Sequence, residues 1–210
     1  SWLERMLPAD LYLRAARFGE TAFLTPEEQA RIAAVPGIER VQFMRAQNLL
    51  LAPERPPVTL LAGPVEAGAP GKVLPLTSKP YTPRADEPPP VWVSEVAADF
   101  YRMSVGDQVR LPIGDTPGTY TVAGVWRDYA RQNGAIAINR DLYVKLTGDR
   151  LVNDAALWLA PGISLIEVQR ALRERLQDAP NLEVASTREL RAISLRVFDR
   201  TFAITYALEL

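Results

Sequence analysis

The chain has 210 residues, 48% of them hydrophobic and 23% charged, an ordinary globular composition that allows one large domain or two small ones. Its formal net charge is −1, so no overall field draws it onto nucleic acid or anionic lipid. Cysteine and histidine are both absent. That excludes disulfides, thiolate nucleophiles, zinc–thiolate sites, histidine-based triads and histidine-ligated metals, and with them most hydrolase mechanisms.

Trp2, Leu3, Met6 and Leu7 have helical spacing up to Pro8, and Asp10 to Arg17 alternates as a strand does. Thr25-Pro26-Glu27-Glu28 predicts a helix start: a threonine cap, proline at the first helical position and glutamate at the capping-box position. Ile32 and Val35 face inward, and Pro36-Gly37 stops that helix. Residues 38–51 and 58–61 are β-rich. Eleven of the 18 prolines then fall between Pro53 and Pro90, which predicts an extended, irregular connection, read as a crossing between two subdomains.

Val91 to Val93 predicts a short strand and residues 94–102 a short helix. Ser104-Val105-Gly106-Asp107 is a turn, with Asp107 as a turn residue, feeding a strand over 108–112. Gly118 to Trp126 alternates, with Tyr120, Val122 and Trp126 on one side and Thr119, Thr121 and Val125 on the other. A strand over 134–138 leads to Asn139, the cap of a helix ending near Leu146. After a strand over 155–159, Ser164 and Glu167 form a capping box for a helix with Leu165, Val168, Leu172 and Leu176 on one face. A strand over 181–185 follows. Ser186-x-x-Glu189 then opens a final helix with the stripe Leu190, Ile193, Val197, Ile204 and Leu208. No run of 18 apolar residues occurs, yet the uncharged stretch 201–208 reads as the first turns of a helix that continues.

Strand–helix–strand thus recurs over 10–51 and 153–185, which predicts an α+β fold. Two such units make a ferredoxin-like (βαβ-βαβ) subdomain from residues 1–65 and 151–186. A mostly β insertion occupies 66–150, and a C-terminal helix 187–210.

Catalytic signatures are missing: no nucleophile elbow, phosphate-binding glycine loop, calcium loop or S-x-x-K. Ser78 and Lys79 are adjacent, and neighbours on an extended chain point apart. The chain has 25 acidic residues, so a carboxylate-dependent hydrolase is permitted, but no spacing singles out a pair. Asp128 and Arg131 are expected to form a loop ion pair, and Phe100, Tyr101, Trp126, Tyr129 and Trp158 to lie in the core. The residues point to a binding or mechanical module with no enzymatic activity and no cofactor. A stand-alone soluble adaptor or lipid-binding protein of the same topology is the alternative.

The run Val91-Trp-Val-Ser-Glu-Val-Ala-Ala-Asp-Phe-Tyr-Arg-Met-Ser-Val-Gly-Asp107 resembles the MacB-like periplasmic core domain of FtsX-like ABC transporter permeases. Val122 to Tyr129 and Gly134 to Asn139 fit the same pattern. Arg196 to Thr205 resembles the run that enters a following transmembrane helix in such permeases. The resemblance, over roughly residues 10–205, implies a ferredoxin-like porter subdomain interrupted by a mostly β sabre-like one. It implies a non-catalytic domain on the extracytoplasmic (periplasmic) face of the bacterial inner membrane, tethered by flanking transmembrane helices. Its partners would be a cytoplasmic ABC ATPase and a periplasmic protein or a lipid, lipoprotein or peptide cargo, with no nucleic acid. Arg196, Phe198, Asp199, Arg200 and Phe202 would then lie on a membrane-proximal helix that transmits ATP-driven movement.

Overall fold

The computed structural model describes residues 7–15, 23–177 and 182–193. Its strands are β1 (Leu11–Ala15), β2 (Ile38–Leu49), β3 (Val58–Gly63), β4 (Pro90–Ser94), β5 (Gln108–Leu111), β6 (Gly118–Trp126), β7 (Ala135–Asn139), β8 (Asp154–Leu159) and β9 (Leu182–Ser186). The helices are α1 (Pro26–Ala33), α2 (Glu95–Tyr101), α3 (Arg140–Thr147) and α4 (Leu165–Arg175), and residues 187–193 are also helical. The fold is α+β, with a mixed nine-stranded sheet in the order β5-β6-β4-β7-β3-β2-β8-β1-β9. Two compact units divide the chain. Unit 1 comprises Ser1–Gln42 and Asp154–Leu210, and unit 2 comprises Phe43–Asn153.

In unit 1, β1 lies between β8 and β9 and is antiparallel to both. Leu11 and Leu13 are buried, as are Leu157 opposite Leu11, Ile32 and Val35 at α1, and Val168, Leu172 and Leu176 at α4. Both helices start as their sequences predict. The Thr25 hydroxyl accepts from the Glu28 N–H while the Glu28 carboxylate accepts from the Thr25 N–H, and Ser164 caps α4 through the Glu167 N–H. The far ends are tied side chain to backbone. Arg31 Nη1 donates to the Arg175 carbonyl at 3.0 Å and Arg175 Nη1 to the Ala34 carbonyl at 3.2 Å, supplying donors that a helix end lacks.

Unit 2 has a core on each face of its strands. One face buries Leu60, Val91, Val93, Val122, Ile136 and Ile138 under α2 and α3, whose Ala97 and Tyr143 join the cluster. The other buries Leu61, Trp92, Ala123, Trp126, Ala135 and Ala137. The expected alternation of β6 holds only for its first half. Between β4 and β6 the register shifts, with Val91 opposite Val122 but Trp92 opposite Gly124. That bulge turns the strand over, so Trp126 packs on the face opposite to Tyr120 and Val122 instead of beside them.

The proline-rich stretch also differs from its expected role as a crossing between subdomains, because it lies wholly inside unit 2. Apart from β3 and a 3-10 turn at Pro70–Lys72 it is irregular, as read, and its part from Pro75 to Tyr81 is pinned along β6. Arg127 N–H donates to the Pro75 carbonyl, Thr77 N–H to Val125 and Tyr81 N–H to Ala123, at 2.8–3.0 Å. Leu74 and Leu76 pack on the Trp92 cluster beneath it. The division of the chain falls at 42/43 and 153/154, whereas the sequence places the inserted segment at 66–150. The cause is β3, which pairs in parallel with β7 and so belongs with the middle segment.

Of the aromatics expected in the core, Trp126 is buried and Tyr101 packs partly against the core, while Phe100 and Tyr129 are 54% and 71% exposed. Phe100 sits at the end of α2 below Arg55, 5.8 Å from its ring. Trp158 is half-buried under the guanidinium of Arg40, 3.9 Å away. Asp128 and Arg131 do pair, at 2.9 Å, with the carboxylate buried.

Candidate functional site

Two clusters of polar contacts stand out, one in each unit, and each sits where separate passes of the chain meet. The first lies at the foot of unit 1. Leu11 faces Ser186, so the start of β1 lies beside the end of β9. From there the Thr187 N–H donates to the Asp10 carbonyl at 3.1 Å, and the Thr187 hydroxyl donates to the Ala9 carbonyl. Asp10 reaches the other way as well: its N–H donates to the Leu157 carbonyl at 2.9 Å and its carboxylate accepts from the Leu159 N–H at 2.8 Å. Ser186 accepts from the Glu189 N–H at 3.0 Å, which starts the helix leading out of the sheet. Burial pushes the Tyr12 hydroxyl above its usual pKa, against the opposing pull of the Ala9 N–H bonded to it and of nearby Arg191.

The second cluster lies in unit 2, at the two places where its chain begins and ends. Arg45 Nε donates to Asp149 Oδ2 at 2.7 Å and Arg45 Nη1 to Asn153 Oδ1 at 3.1 Å. The same Asn153 oxygen accepts from the Ala46 N–H at 2.7 Å, and the Asn153 N–H donates to the Met44 carbonyl at 2.8 Å. Tyr143 of α3 donates to Asp149 at 2.6 Å, and the Leu151 N–H donates to its other oxygen at 3.0 Å. Burial would raise the Asp149 pKa, but the hydrogen bonds from Tyr143, Arg45 and Leu151 outweigh it and hold the carboxyl below its ordinary value. Burial and that carboxylate together push the Tyr143 hydroxyl up to about 12.

The polar groups of both clusters are engaged within the fold. Asp149 is engaged on both oxygens, and Thr187 donates its hydroxyl to a carbonyl. Among the described residues no three acidic side chains come together in a way that could hold a metal ion. Each cluster ties together chain segments far apart in sequence. The expected transmission residues Arg196, Phe198, Asp199, Arg200 and Phe202 lie outside the described residues. The helix that leads toward them is described from 187 to 193. Asp10, Thr187, Arg45, Tyr143, Asp149 and Asn153 are not singled out by sequence, because their side-chain partnerships run from six to 178 positions apart, the local Asp149–Leu151 contact excepted, and leave no spacing to read.

No family model matches the chain. Over its whole length it is 25% identical to an uncharacterized ABC transporter permease protein, Rv0987, of Mycobacterium tuberculosis, and it spans 25% of that protein's length. Its fold matches the periplasmic region of MacB from Actinobacillus actinomycetemcomitans with a TM-score of 0.60, covering 91% of this chain and 94% of that one at 12% identity. The extracellular domain of the noncanonic ABC-type transporter YknZ from Gram-positive bacteria matches with a TM-score of 0.52, over 83% of this chain and 98% of that one at 15% identity.

Proposed function

We propose that this chain, which has the fold of the extracytoplasmic domain of MacB-like ABC transporter permeases, works as such a domain in a longer membrane-embedded permease. It sits on the extracytoplasmic (periplasmic) face of the bacterial inner membrane and carries movement rather than chemistry. The observation that supports this best is the foot of unit 1. Leu11 pairs with Ser186 and Thr187 binds Asp10, so the chain enters and leaves unit 1 side by side. A domain anchored at both ends in one membrane needs that arrangement.

Within this reading, unit 1 is a ferredoxin-like porter. The strand order β2-β8-β1-β9, with antiparallel neighbours around β1, supports it. Unit 2 is the inserted, mostly β sabre-like part. The lever is the C-terminal segment that the sequence reading places at Arg196, Phe198, Asp199, Arg200 and Phe202, beyond the helix described over 187–193. A helix closes its backbone hydrogen bonds internally, so it passes force along its axis and crosses an apolar boundary without leaving polar groups unpaired. An ABC ATPase on the cytoplasmic side drives it, and the domain hands the movement to a periplasmic partner or a lipid, lipoprotein or peptide cargo.

The absence of cysteine makes the test direct. Ser78 is exposed on the proline-rich segment, and Ser78→Cys places one thiol in the domain of the full-length permease. A membrane-impermeant maleimide should label it in intact spheroplasts. Labelling that requires lysis would overturn the proposal.

A further inference from the structure

An open groove of about 640 Å³ runs along the foot of unit 1. Leu7 and Pro8 on one side and Leu165 at the start of α4 on the other give it apolar walls, and Arg188 and Arg191 of the helical segment line it with positive charge. Arg188 is exposed, and no ion pair holds it among the described residues. Arg191 is half-buried, with its Nε buried and lacking an acceptor among the described residues. Asp10 is the acid in the lining, and one of its oxygens is already taken by the Leu159 N–H. The groove therefore sets two arginines beside an apolar wall, which matches an anionic headgroup with the start of its acyl chains.

We infer that this groove binds the phosphate headgroup of an anionic phospholipid at the membrane surface. The inference rests on the proposed function: if the chain is tethered where it enters and leaves unit 1, the groove lined by residues 7–10 and 186–192 faces the bilayer. The net charge of −1 provides no general attraction to an anionic surface, so binding has to be local to these arginines.

The test floats the purified chain with vesicles of phosphatidylcholine alone and of phosphatidylcholine with phosphatidylglycerol. Binding should appear only with phosphatidylglycerol. It should fall about five-fold in Arg188→Gln and about thirty-fold in Arg188→Gln/Arg191→Gln, the scale for one and two arginines at an anionic surface. The Arg188→Lys/Arg191→Lys variant keeps the charge and should keep most of the binding. If circular dichroism shows that changing Arg191 unfolds the chain, Arg188→Glu alone decides, since that side chain is exposed. Equal binding to both vesicle types, or undiminished binding by the arginine variants, overturns the inference. So does saturable binding of inorganic phosphate by the chain together with no flotation on phosphatidylglycerol vesicles, which would make free phosphate the ligand. Surface labelling of Ser78→Cys together with absent vesicle binding removes the groove assignment and leaves the permease reading standing; labelling only after lysis removes the reading itself.

Discussion

Asp149 accepts hydrogen bonds from Arg45, Tyr143 and the Leu151 N–H, and the ion pair it forms with Arg45 is only 11% and 21% exposed on the two side chains. Replacing the carboxylate removes the Nε acceptor of a largely buried guanidinium and the partner of a buried phenol at once, so Asp149→Ala should cost about 2–4 kcal/mol in urea unfolding. The same cluster gives stability a pH dependence at both ends of the scale. Asp149 has a lowered pKa when folded, so its contribution is present above the ordinary carboxylate value and fades as pH falls through the folded one. Tyr143 behaves in the opposite sense. Its hydroxyl ordinarily titrates at 10.0 and is pushed up to about 12 in the fold, so the neutral form is the one the fold favours. That contribution is complete below pH 10.0 and is lost as pH rises toward 12. Tyr143→Phe should flatten the alkaline limb of stability between those values, measured as urea midpoints against pH; an unchanged limb would mean that other groups set it.

At the scale of elements, Gly134 shows how tightly α2 sits on the strand that follows it. Its φ is +92°, and a Cβ there would lie 2.9 Å from the Ala97 Cβ and 3.0 Å from the Ala97 nitrogen. Gly106 has a similar φ of +93° but open space around it. Gly106→Ala should therefore cost only the backbone strain, about 1 kcal/mol, and Gly134→Ala about 2–4 kcal/mol because backbone must also move. Equal losses in thermal or urea unfolding would show that the contact with α2 is soft. Turns and caps of this kind were legible in the sequence because their chemistry is local. Thr25, Asn139 and Ser164 each cap the helix they were read to cap, and Asp107 closes its turn by accepting from the Ser104 N–H at 2.8 Å. The fate of Trp126 was not legible. A single bulge opposite Val91 and Trp92 decides which face it takes, and nothing in the alternating residues of β6 marks where the register slips.

For the whole molecule, what escaped the sequence was long-range partnership: that β3 would join β7, and that Arg45 would find Asp149 and Asn153. Those contacts make unit 2 self-sufficient. Among the described residues, both of its apolar cores draw on side chains between Met44 and Val144. Its two ends are also held together, since the Asn153 N–H donates to the Met44 carbonyl at 2.8 Å and the Asn153 side chain caps the Ala46 N–H at 2.7 Å. A segment whose ends meet inside its own hydrogen-bond network gains little closure from the rest of the chain. Residues 43–153 produced alone should therefore fold, unfolding in urea in one cooperative step with a slope of about 1–3 kcal/mol per molar, typical of a small domain. Trp92 and Trp126, both buried, should report that step by a red shift of emission. Asn153→Ala should lower the midpoint of the fragment by removing both the Ala46 and the Arg45 contacts from the junction of its ends. A broad, non-cooperative transition in the unsubstituted fragment would show instead that unit 2 depends on unit 1 to fold.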